Sequence, residues 1–133
     1  MDWVEDKIIE KRLREIIKSP LFTHISPKDI TVFRSYGSTS RAYARIWGFP
    51  RIWQMALKHP PHYIVEVISE YFDRQNYEDQ TRTLIHELLH IPKKFSGSLV
   101  PHRGRKHHNI DRRVVEKIYQ QYKMSSHDNT NSR

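Results

Sequence analysis

No part of the chain constrains its fold more than residues 77–91, Tyr-Glu-Asp-Gln-Thr-Arg-Thr-Leu-Ile-His-Glu-Leu-Leu-His-Ile. Asn76 can cap the start of a helix there, and Glu78 and Asp79 stand in the first turn, where the helix dipole favours anions. Pro92 stops it. Leu84, Ile85, Leu88, Leu89 and Ile91 form an apolar stripe. Such a stripe is stable only when buried, so the chain must build a second layer against it. Off the stripe lie His86 and His90, one helical turn apart.

The rest of the sequence supplies that layer. Residues 3–18 read as an amphipathic helix capped by Asp2, with Val4, Ile8, Ile9, Leu13, Ile16 and Ile17 at helical spacing and Ser19-Pro20 as its stop. Residues 30–34 read as a short strand. Arg-Ile-Trp occurs at 45–47 and again at 51–53, around Gly48-Phe49-Pro50, which predicts strands over 42–47 and 51–57 joined by a tight turn. In the second, Trp53, Met55 and Leu57 alternate with Ile52, Gln54 and Ala56. His59-Pro60-Pro61 breaks the chain, and Tyr63–Ile68 is its strongest strand signal. Residues 93–108 read as a basic loop, and 110–122 as a helix with Val114, Val115, Ile118, Tyr119 and Tyr122 on its apolar face. The elements predict an α+β domain over residues 1–124, with a small three- to four-stranded sheet. An N-terminal helix, the 77–91 helix and a C-terminal helix pack on that sheet. Residues 125–133 are predicted to be a disordered polar tail.

Composition narrows the chemistry. The chain has 133 residues, enough for one domain, and fifteen aromatic side chains argue for a folded one. It has no Cys, which excludes disulfides and thiolate metal sites, so a bound metal must take His, Asp or Glu ligands. Residues 1–18 lack the apolar core of a signal peptide, and no apolar run reaches membrane-spanning length. A soluble, cytoplasmic chain without membrane association is expected. The net charge of +8 is uneven. Residues 1–92 carry 13 basic and 12 acidic side chains, whereas residues 93–133 carry 10 basic and 3 acidic. A basic segment over 93–123 could meet nucleic acid, although no recognised nucleic-acid motif accompanies it.

The spacing of His86 and His90 puts two imidazoles on one helix face, which suits two ligands of one tetrahedral zinc ion. Glu87 follows the first and can take a proton from a water that the metal has activated, as general base and then acid. A catalytic zinc usually has three protein ligands. His102, after a glycine-containing loop, is the leading third candidate, followed by His107 or His108 and then Glu116. The metzincin spacing requires a histidine at position 96, where the chain has Ser96. His24, His59 and His62 read as loop and turn residues. Arg103, Tyr119 and His107 are candidates for stabilising an oxyanion, and strand 51–57 is a candidate edge for a peptide substrate.

Several stretches carry a family resemblance. Arg41-Ala42-Tyr43-Ala44-Arg45-Ile46-Trp47-Gly48 and Pro50-Arg51-Ile52-Trp53-Gln54 are two of them. Leu84 to Pro92 is a third, and Phe95-Ser96-Gly97 with Leu99-Val100-Pro101-His102 completes the set. Over residues 28–122 they resemble the phage-type metallopeptidase family of archaea, bacteria and their viruses. The resemblance implies a zincin-like minimal metallopeptidase domain, distantly similar to SprT-type domains. It also implies zinc held by His86, His90 and His102, Glu87 as the catalytic acid/base, and a peptide or protein substrate. The competing expectation is a zinc-containing, nucleic-acid-associated domain without peptidase activity, resting on the basic C-terminal third.

Overall fold

The computed structural model describes residues 1–102 and 110–131. Strand β1 (Asp2–Glu5) leads into helix α1 (Lys7–Ile17), followed by β2 (Ile30–Tyr36) and β3 (Ala44–Trp47). Helix α2 (Arg51–Leu57), strand β4 (Tyr63–Ile68) and the single turn α3 (Ser69–Phe72) come next. Helices α4 (Tyr77–Leu88) and α5 (Arg112–Asn131) complete the chain. The four strands form one sheet in the order β1-β2-β4-β3. The central pair β2–β4 is parallel, and both outer pairs are antiparallel.

Register explains where the core lies. Val32 pairs with Val65 and Arg34 with Val67, while Ile46 and Ala44 face the same two valines from β3. These side chains share one sheet face. The buried cluster joins Ile30, Val32, Ala44, Tyr63, Val65 and Val67 to Leu13 and Ile16 of α1, Leu84, Ile85 and Leu88 of α4, and Val115 and Ile118 of α5. Helices α1, α4 and α5 therefore pack together on one side of the sheet, an α+β arrangement. Each fully buried Leu or Ile stabilises it by roughly 1.5–3 kcal/mol. On the opposite face the buried Glu66 carboxylate accepts hydrogen bonds from Arg45 Nε at 2.8 Å and Trp47 Nε1 at 2.9 Å. These donors hold it below the usual carboxylate range although burial opposes ionisation.

Three sequence expectations are corrected. The helix expected over 3–18 begins at Lys7, and its first residues are strand β1. The cap is Asp6, not Asp2: its carboxylate accepts from Ile9 N at 2.9 Å. Extended residues 2–5 gain a ladder with β2 instead. Residues 51–57 form a helix, not a strand. Apolar residues occupy both sets of alternating positions there, so the period-two signal was false, and Pro50 offers a ready helix entry. The segment therefore cannot be the substrate edge; β3 terminates the sheet on that side. Finally, the C-terminal helix runs past the expected end at 122, to Asn131.

Candidate metal centre

Helix α4 is fixed at its start and along its back. The Asn76 side chain accepts from Asp79 N at 2.8 Å, and Leu84, Ile85 and Leu88 are fully buried. Regular α-helix ends at Leu88, short of the expected 91. His90 and Ile91 instead close a tighter turn, with His90 N donating to Glu87 O and Ile91 N to Leu88 O, each at 3.1 Å. The last turn thus carries both histidines of the motif.

The chain returns to this turn through residues 95–102. Val100 N donates to His90 O at 2.7 Å, and His90 Nδ1 donates back to Val100 O. This clamp assigns the proton of His90 to Nδ1 and leaves Nε2 with a free lone pair. Two residues on, His102 Nε2 lies 2.9 Å from His86 Nε2 and 3.2 Å from His90 Nε2. The three histidines present ligand atoms that all lie within 4.8 Å of one another. A proton can bridge one such pair, but three imidazole nitrogens this close to one another cannot all be satisfied that way. A cation satisfies all three. Burial lowers the His86 imidazole to about 4, with His90 and His102 adding repulsion. Burial likewise lowers His90. Neutral imidazoles are the form that binds metal.

Glu87 lies beside this cluster and is only 7% exposed. Burial pushes its carboxyl up to about 8. The histidines and Glu87 line a cleft of about 1150 Å³ among the described residues. Residues Ala42 to Ile46 form another wall, Arg82 and Thr83 of α4 a third, and Asp111, Arg112 and Glu116 at the start of α5 a fourth. β3 pairs only with β4, so its outer edge is free among the described residues.

His102 joins His86 and His90. Glu116 does not: its carboxylate accepts from Arg82 Nε at 2.8 Å and Gln120 Nε2 at 2.8 Å. His107 and His108, and the oxyanion candidates Arg103 and His107, lie outside the described residues. Tyr119 is packed into the core, with the Arg82 guanidinium 4.2 Å above its ring. Three other histidines have partners elsewhere: His24 Nε2 lies 3.3 Å from Ile91 O, His59 Nδ1 2.7 Å from Pro60 O, and His62 Nε2 2.8 Å from Thr31 Oγ1. Sequence reasoning missed Val100, whose role is played by its backbone and leaves no residue signature. No helix among the described residues is long and apolar enough to cross a membrane.

No curated protein and no solved structure matches the chain. The family model described as "Putative phage metallopeptidase" matches residues 1–128, nearly the whole length. With a metal implied by that family and three histidines placed to hold one, the chain belongs to the phage metallopeptidase family.

Proposed function

We propose that the protein is a zinc-dependent peptidase of the His-Glu-x-x-His type, with His86, His90 and His102 as ligands and Glu87 as the proton shuttle. One observation carries this reading: three imidazole nitrogens cluster beside a buried carboxyl in a cleft bordered by β3, whose outer edge is unpaired among the described residues. Their fit to the ion is good. Corners of a tetrahedral zinc site with Zn–N bonds of about 2.0–2.1 Å are about 3.3–3.4 Å apart. His102 Nε2 lies 2.9 Å from His86 Nε2 and 3.2 Å from His90 Nε2, close to that spacing. An all-imidazole donor set in a chain without thiols also favours zinc over harder cations.

A zinc ion held there supplies Lewis-acid chemistry, polarising a peptide carbonyl and acidifying water. The chain's own residues do the rest. The Glu87 carboxylate takes the proton of the attacking water and delivers it to the departing amine nitrogen. Val100 O keeps His90 in one tautomer and one orientation. The free edge of β3 can pair with the backbone of an extended peptide, which would lie across the cleft above α4.

Glu87→Gln tests the assignment. The variant should retain one zinc per chain and lose hydrolysis of an unstructured protein substrate by about 10²–10⁴-fold. Cleavage at the wild-type rate would remove Glu87 from the mechanism. Nucleic-acid association through segment 93–123 remains the alternative. Steeply salt-dependent DNA binding would support it, as expected of phosphate contacts.

A further inference from the structure

Helix α2 inverts the usual rule of burial. Its apolar side chains are turned outward: Ile52 is 70% exposed, Trp53 54%, Met55 63% and Leu57 60%. The one side chain it buries is the amide of Gln54, 6% exposed. A seven-residue helix that buries an amide and exposes its hydrophobes is not held in place by core packing.

What Gln54 touches shows its purpose. Its Nε2 donates to Phe49 O at 2.7 Å and to Ser96 O at 2.8 Å, so one amide group ties the turn before α2 to the loop that carries His102. The backbone repeats the link, with Phe49 N donating to Gly97 O at 2.7 Å. From beneath, the fully buried Tyr63 of β4 grips the same loop. Its hydroxyl accepts from Gly97 N at 2.8 Å and donates to Ser98 O at 2.8 Å. The hydroxyl thus donates once and accepts once, and the loop cannot shift without breaking several bonds at once. Gly97 takes φ +92, and a Cβ there would lie 2.3 Å from Phe49 O and 2.4 Å from Gln54 Nε2. The approach is as close as backbone allows.

We infer that Gln54 and Tyr63 are positioning residues that latch segment 96–100, and so place Val100 O against His90 and His102 against the other two histidines. The inference rests on the three-histidine reading of the site. It assigns to a distant helix and a core tyrosine the rigidity that a loop-borne ligand needs. His86 is held by α4 itself, and His90 by the tight turn that follows it and by Val100 O. Among the described residues, His102 is held through this latch and the Val100–His90 clamp.

The test measures zinc affinity by competition with a chromophoric chelator in Gln54→Met and Tyr63→Phe, which keep volume and remove the hydrogen-bonding group, and in His102→Ala. Both latch variants should weaken zinc binding by roughly 10–100-fold, the range for residues that orient metal ligands. In a His102→Ala background the same substitutions should have little further effect, because they act through that ligand. Amide exchange at Gly97 and Ser98 should accelerate in the metal-free variants. Wild-type zinc affinity in both variants, or losses that add fully to that of His102→Ala, would overturn the latch while leaving the ligand set intact. Unchanged zinc affinity in His102→Ala would instead overturn the ligand set, and the latch with it. Should Tyr63→Phe fail to fold, Gln54→Met carries the test alone.

Discussion

Replacing Glu87 with Gln should stabilise the metal-free protein while abolishing its activity. The carboxyl is 7% exposed, and burial pushes it from 4.5 in the unfolded chain to about 8 in the fold. The sign follows from linkage. A carboxyl raised in the folded state makes the fold bind more protons than the unfolded chain, so stability falls as pH rises through that window. Below pH 4.5 the group is neutral in both states and costs nothing. Above pH 8 the full shift applies, of the order of 5 kcal/mol at 1.36 kcal/mol per pH unit. At pH 7 most of the window has been crossed, and the cost is about 3 kcal/mol. Gln has nearly the same shape and does not titrate. Urea unfolding of metal-free wild type and variant from pH 4 to pH 9 should therefore show equal stability at the acid end and a widening advantage for Glu87→Gln above it. Zinc should narrow the gap, because a neighbouring cation stabilises the ionised carboxylate. A pH-independent difference, or a variant less stable than wild type at pH 8, would refute the account of a carboxyl held in a desolvated site for its chemistry rather than its stability.

Two further outcomes follow from the same physics. Burial lowers His86 from 6.5 to about 4, so the metal-free fold should lose stability as pH falls below 6.5. His86→Gln should gain on wild type across that range in parallel urea titrations, and a constant difference would remove the buried-imidazole explanation. Gly97→Ala should destabilise by more than about 1 kcal/mol, from its positive φ and the blocked approach of Phe49 O. Gly37→Ala, with φ +75 but no atom nearer than 3.7 Å, should cost less in the same denaturant-midpoint assay.

Much of the architecture could be read from periodicity, and the failures have specific causes. Ile9, Leu13, Ile16 and Ile17 recur at helical spacing and are buried as that pattern requires. Yet the same pattern extended falsely to Val4 and Ile8, 54% and 78% exposed. Nothing local forbids helix at Trp3 and Val4; pairing with Ser35 and Arg34, some thirty residues away, decides for strand. The order β1-β2-β4-β3 is equally non-local, since residues 37–43 carry the chain from β2 past one strand position to β3, and β4 fills that position later in the sequence.

The site divides along the same line. His86, Glu87 and His90 sit within one turn, so their mutual placement is dictated by the helix and is visible in five letters of sequence. His102 could only be ranked, because its approach depends on a loop whose path is set by Val100, Gly97, Tyr63 and Gln54 from three different parts of the chain. Hydrophobic periodicity reports what a segment buries against the core. Gln54 is invisible to it because α2 buries an amide and exposes Ile52, Trp53, Met55 and Leu57. The sequence predicts a strand there for the reason that makes the segment informative: its apolar residues are not arranged for any core. An element that defies the burial rule is held for something else, and here the bonds from Gln54 lead to the loop that carries the third histidine.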